Sequence, residues 1–184
     1  MKWHTVSLDQ VPPQPWRNGG GITRELLAWP AVAGWRLRLS VADVQAAGPF
    51  SHFDGLERWF AVLEGDGVVL RMGHEEHTLT RSDAPLRFDG GLNVDCTLRG
   101  GPTRDFNLMA PPGCARLWRL RGRRSLALGA GMLLAAYAHQ GPARMALAGE
   151  AFELPARHLA WTLLDGPAAG DVSADEALWM EATP

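Results

Sequence analysis

The chain has little of what usually announces a function. Only two cysteines, Cys96 and Cys114, occur in 184 residues. Neither sits in a C-x-x-C or zinc-finger spacing, so no disulfide framework or structural zinc organises the fold, and two reduced thiols of a cytoplasmic protein are expected. No charge of one sign dominates: 18 Lys and Arg stand against 20 Asp and Glu, a net charge of −2. That balance predicts no nucleic-acid partner and no anionic membrane surface as partner. The one basic cluster (Arg116, Arg119, Arg121, Arg123, Arg124) has only Trp118 as a stacking platform and reads as a solvated strand face or turn. Long hydrophobic runs are missing too. The longest, residues 125–138, is too short to span a bilayer and is interrupted by Gly129 and Gly131. No apolar stretch follows Met1-Lys2-Trp3-His4-Thr5, so no secretory signal is expected. There is no G-x-x-x-x-G-K-[ST] phosphate loop, no Gly-x-Ser-x-Gly elbow and no long segment with a clean helical period.

What is present is punctuation. The 21 glycines and 13 prolines are spread along the chain. Short apolar runs lie between them at 35–41, 59–63, 68–72, 94–98, 106–109, 132–137, 145–147 and 159–164. Turn signals such as Gly65-Asp66-Gly67, Asp89-Gly90-Gly91, Pro111-Pro112-Gly113 and Asp165-Gly166-Pro167 separate them. Many short strands at this spacing predict an all-β sandwich or barrel. Residues 125–138 are rich in Ala, Leu and Met, which favour helix, but their glycines and the following Gly141-Pro142 make them two strands. Pro111-Pro112-Gly113 divides the chain into a unit over 1–112 and a smaller one over 113–184, expected to pack together.

The segment Pro15-Trp16-Arg17-Asn18-Gly19-Gly20-Gly21-Ile22-Thr23-Arg24-Glu25 concentrates chemistry. A glycine triplet permits positive φ and close backbone approach, with an aromatic and a set of polar side chains around it. Read alone it is a tight turn between strands. Further on, Trp35, Leu37, Leu39 and Val41 alternate with Arg36, Arg38 and Ser40, so two arginines share one strand face. That face is either solvated or lines a polar cavity.

Four blocks together resemble the HutD/Ves family of bacterial cupin-like proteins. They are Trp16 to Glu25, Arg38-Leu39-Ser40-Val41-Ala42-Asp43-Val44, Gly48-Pro49-Phe50-Ser51-His52-Phe53-Asp54-Gly55-Leu56-Glu57-Arg58, and Asp105-Phe106-Asn107-Leu108-Met109. The resemblance implies cupin double-stranded β-helix barrels in the two-barrel, or bicupin, arrangement. It also implies a cytoplasmic protein linked to histidine utilisation in one branch of the family and to a stress response in the other, and it favours the cavity reading of Arg38 and Ser40. The chain departs from the family where Asp54 replaces a usual Pro, Leu37 a usual Trp, and Ala110-Pro111-Pro112 a run with Thr and Arg.

Many cupins hold a metal through an H-x-H pair, a glutamate and a later histidine. Here His52, Asp54 and Glu57 offer part of such a set without the second histidine, and His74 and His77 lie in a polar hairpin, so no metal and no cofactor are expected. Ser40 and Ser51 lack a nucleophile's context, and His139 and His158 are isolated. Glu25, Glu64 and Asp105 are the carboxylates available as acid or base; no catalytic residue is assigned. The remaining set is arginine, amide and hydroxyl. Asn18, Thr23, Glu25, Arg38, Ser40, Ser51, Arg58, Asp105 and Asn107 are the candidate ligand-binding residues, because an arginine fork fits a carboxylate and amides and hydroxyls orient the rest. The partner expected is a small anionic metabolite, and the sequence leaves an oligomer open. The reading is a non-catalytic binding protein, with a cupin-type hydrolase or isomerase, or a stress-related interaction protein, as alternatives.

Overall fold

A computed structural model describes residues 1–183 and is built of strands, with one 3-10 turn at Leu8–Gln10. The backbone forms two compact units, Pro12–Gly113 and a second made of Met1–Val11 with the chain from Cys114 onward. Among the described residues no helix is long and apolar enough to cross a membrane.

The second unit opens with β1 (His4–Ser7). Residues 1–11, read from sequence as part of the first unit, belong here because β1 pairs antiparallel with a strand near the other end of the chain, Val6 opposite Leu159. A local turn signal cannot reveal a pairing across that separation.

The central unit contains two antiparallel sheets. One has six strands: β2 (Gln14–Pro15), β3 (Gly21–Trp29), β4 (Leu37–Val44), β6 (Glu57–Glu64), β9 (Leu86–Asp89) and β11 (Thr103–Ala110), in the order β2-β3-β4-β11-β6-β9. The other has β5 (Gly48–Pro49), β7 (Val68–Met72), β8 (Glu75–Leu79) and β10 (Val94–Leu98), in the order β5-β10-β7-β8. Sequence neighbours are not always sheet neighbours; β11 inserts between β4 and β6, as in jelly-roll barrels. Phe60, Val62 and Phe88 from one sheet meet Val68, Leu70, Val94 and Cys96 from the other in a buried core. Gly67 lets the chain cross from β6 in one sheet to β7 in the other: its φ is +108°, and a Cβ there would lie 2.2 Å from the Leu79 carbonyl oxygen.

The second unit continues with β12 (Ala115–Leu128), β13 (Leu133–Ala138), β14 (Ala143–Leu147), β15 (Glu150–Leu154), β16 (His158–Leu163) and β17 (Ala168–Ala182). Residues 125–138 are two strands, as expected. Every residue of β13 is buried, and the strand lies inside its sheet between β16 and β17. Strands covered on both faces read as continuous apolar runs, so a helix-favouring composition is overridden there. The unit's core includes Leu134, Leu147, Leu154, Leu164, Val172 and Trp179.

Two details of the strand readings change. Residues 35–36 precede β4 and close the β3–β4 hairpin, where the Arg36 N–H donates to the Trp29 carbonyl at 2.7 Å. His77 lies in β8, beyond the turn that holds His74.

Gly21 begins β3 because nothing larger fits. A Cβ would stand 2.5 Å from the Asp43 carbonyl oxygen and 3.3 Å from the Trp16 ring. Gly21→Ala should therefore destabilise the protein by about 1–3 kcal/mol, the usual cost of overpacking, measured as a lowered urea midpoint at unchanged m-value. An unchanged midpoint would show that the Trp16 turn shifts freely.

Candidate functional site

The strand registers place the polar candidates in rows across the six-stranded sheet. Side chains alternate between sheet faces, so one face carries every second residue. In one row, Arg38 of β4, Met109 of β11 and Arg58 of β6 stand opposite one another. The next row holds Glu25 of β3, Ser40, Asn107 and Phe60. A third holds Thr23, Ala42, Asp105 and Val62. Apart from Glu25, the first two rows, with Thr23 and Ala42 of the third, border a cavity of about 780 Å³ within the central unit. The other face of β4 is also buried through Leu37, Leu39 and Val41. Arg38 and Ser40 therefore take the cavity alternative rather than a solvated face.

Arg58 is the unusual group. It is 5% exposed and lines the cavity. One terminal nitrogen donates to Asn107 Oδ1 at 2.9 Å, and the other reaches the Ser51 carbonyl at 3.4 Å. Its guanidinium carbon lies 4.9 Å from the Phe50 ring centre, 5.3 Å from Phe88 and 5.7 Å from Phe53. These are cation–π distances. No carboxylate of the described residues pairs with it, and its Nε finds no acceptor. Burial, reinforced by the nearby Arg38 charge, draws its pKa down to about 10, so it stays cationic at neutral pH.

The other arginines on the cavity differ. Arg38 is neutralised: its Nε donates to Glu25 Oε2 at 2.7 Å, and its guanidinium lies 5.9 Å from the Trp35 ring centre. Glu25 thus holds Arg38 and does not border the space. Arg17 and Asn18 reach the cavity from the turn between β2 and β3. That turn is pinned at both ends. Trp16 Nε1 donates to Thr23 Oγ1 at 2.7 Å, Asn18 Oδ1 accepts from the Gly20 N–H at 3.0 Å, and the Gly20 carbonyl accepts from Gln45 and Ala46. Gly19, at φ +72°, supplies the left-handed step. The glycine triplet is therefore the tight turn expected from its composition, and it also carries cavity-lining groups.

Asp105 is brought near but not onto the cavity surface. It is fully buried one row below Asn107; Oδ2 accepts from the Thr103 hydroxyl at 2.7 Å and Oδ1 has no hydrogen-bond partner. Burial pushes its pKa up to about 7, against the Thr103 hydrogen bond and with help from the Asp43 charge. The nearby Cys96 thiol is pushed up to about 12, by burial and then by Asp105, and is not a reactive thiolate. Asp43 itself is held below the usual carboxylate range: burial raises it, but Arg104 and Arg24 outweigh that.

Sequence reasoning missed the apolar wall. Phe50, Phe53 and Phe60 line the cavity, as do Trp16, Met109 and Gln14. The first two lie inside a block already singled out, and aromatics flanking an arginine were the available signal. His52 and Asp54 are exposed. Glu57 accepts from Trp59 Nε1 at 3.1 Å and stands 3.5 Å from Arg87. Among the described residues no three His, Cys, Asp or Glu side chains converge as metal ligands.

Asp105 makes stability depend on pH. The unfolded carboxyl loses its proton near pH 4 and the folded one near pH 7. Between these values folding takes up a proton, so stability falls as pH rises through that window, by about 2–4 kcal/mol in all. Asp105→Asn cannot ionise. Urea unfolding at pH 4 and pH 8 should show the variant gaining about 2–4 kcal/mol on the wild type across the interval. A constant gap would mean that Asp105 titrates normally.

The HutD family model matches residues 8–180. An uncharacterised 21.2 kDa protein in the hutC 3′ region of Pseudomonas putida is 42% identical over 104 residues, 55% of this chain and 54% of that protein. Protein Ves of Citrobacter koseri is 39% identical over 103 residues, 54% of this chain and 53% of its own. The matched part spans about half the length of these curated relatives. The solved structure of HutD from Pseudomonas fluorescens SBW25 superposes with a TM-score of 0.84 at 28% identity, over 99% of this chain and 98% of that one. A bacterial pirin from Escherichia coli, solved with nickel(II), shares the cupin fold at a TM-score of 0.70 and 12% identity over the full length of both chains. The family match covers nearly the whole chain, and the chain belongs to the HutD family.

Proposed function

We propose that this protein binds, without converting, a small carboxylate-bearing metabolite in the cavity of its central barrel, and that it senses or buffers a metabolite of histidine utilisation. One observation carries the reading: Arg58, 5% exposed, borders the cavity as a cation with no carboxylate partner among the described residues. A buried charge without a counter-charge is costly. Its aromatic cage and two neutral acceptors hold it in place but leave its charge uncompensated. A planar carboxylate supplies both the charge and the geometry that a guanidinium prefers. Ser40, Asn107, Thr23 and Asn18 provide hydroxyl and amide groups for the rest of the ligand. The cavity's size and its mixture of aromatic wall and few polar groups match small-molecule sites. The link to histidine utilisation is supported by the family and by the name of its Pseudomonas fluorescens member.

A thermal-shift and calorimetric panel of histidine, urocanate, formiminoglutamate, formylglutamate and simple carboxylates tests this reading, since a ligand of the native state raises Tm. At least one carboxylate should bind, and Arg58→Gln should weaken it by about 10- to 100-fold, the worth of a hydrogen bond to a charged group. Asn18→Ala should cost less. Steady turnover of any panel member by the wild type would convert the reading to a cupin-type enzyme. Neither binding nor turnover would favour an interaction protein.

A further inference from the structure

The charges around the cavity select more than a carboxylate head. Three arginines line it, Arg17, Arg38 and Arg58, and no Asp or Glu does. Glu25 does not border the cavity and is committed to Arg38 at 2.7 Å. That leaves two guanidiniums on the cavity without a carboxylate partner among the described residues. Arg58 is buried and caged, whereas Arg17 is exposed on the turn between β2 and β3. The turn is fixed by the Trp16–Thr23 hydrogen bond and the Gly20 carbonyl contacts, so Arg17 is carried on an anchored backbone. An empty space of about 780 Å³ is also far larger than one carboxylate group needs.

We infer that the ligand is an elongated dianion without an ammonium group, one carboxylate held at Arg58 and a second acidic group read at the mouth by Arg17. This rests on the carboxylate reading above and adds the chemistry of the far end. An ammonium there meets positive charge with no cavity-lining carboxylate to receive it, and like charges brought together in a partly desolvated site repel. A methyl end is tolerated by the aromatic wall but leaves Arg17 unused. Arg17 is thus a specificity-determining residue, and Arg58 the anchor common to all carboxylate ligands.

Three probes of one chain length isolate the far end: glutarate ends in a carboxylate, pentanoate in a methyl group and 5-aminopentanoate in an ammonium. Calorimetry on the full chain should rank them in that order. Glutarate should bind about three- to tenfold tighter than pentanoate, as expected for a partly exposed ion pair, with the steeper salt dependence. Arg17→Gln, at an exposed position that leaves the fold intact, should erase the glutarate preference and leave pentanoate within about twofold. Arg58→Gln should weaken all three. If the probes bind through Arg58 with equal affinity, or Arg17→Gln leaves the ranking unchanged, the inference is overturned while the carboxylate reading stands. If none binds, the inference is overturned; if the probes bind and Arg58→Gln is without effect, the carboxylate reading falls and the inference with it.

Discussion

One cation held out of water organises the central barrel. Burying a lone guanidinium costs several kcal/mol unless other groups replace its hydration. Here the replacements come from separate parts of the chain. Phe50, Phe53 and the Ser51 carbonyl come from the segment after β5, Phe88 from β9, and Asn107 from β11. Each of those elements must be in register for Arg58 to be tolerated. The Arg58–Phe88 and Arg58–Met109 pairings across β6 provide that register directly. The site and the fold are therefore not separable, because the sheet order that puts β11 between β4 and β6 is also what delivers Asn107 to the arginine.

The two units solve the same barrel problem differently. In the second, apolar side chains such as Leu134, Leu154 and Trp179 pack into a continuous buried cluster. In the central unit the corresponding cluster stops at Phe60 and Phe50, and beyond them the inward positions of β3, β4 and β11 become Thr23, Ser40, Arg38 and Asn107. Replacing apolar by polar residues on inward positions leaves space that neither sheet fills. The cavity is the consequence of that substitution pattern along otherwise ordinary alternating strands.

Much of this was legible in the sequence. The all-β class followed from the turn spacing, and the alternation of Arg38 and Ser40 with Leu37, Leu39 and Val41 identified one polar face of β4. Alternation alone could not tell a cavity from solvent, because both accept arginine; the family resemblance tipped that choice. Three things were hidden. The pairing of β1 with β16 joins segments far apart in sequence. The apolar wall was missed because phenylalanines ordinarily mean core. The role of Glu25 was hidden because period-two counting puts it on the face of Thr23 and Ser40 but does not show that its carboxylate is taken up by Arg38. Asp105 carried the right address, the inward face of β11, but its depth depends on how far the core fills the barrel.

Asp105 and Arg58 also explain why the barrel keeps a positive interior. Both are buried, and burial disfavours the charged form of each. A carboxyl escapes that penalty by holding its proton, and the pKa of Asp105 is pushed up to about 7 by its burial. A guanidinium has no such escape. Even drawn down to about 10, Arg58 remains charged. Burial thus acts against negative charge in the interior and leaves the positive charge in place. The acid in the row beside Asn107 is therefore a poor counter-ion for Arg58, and no carboxylate of the described residues balances the charge of that arginine.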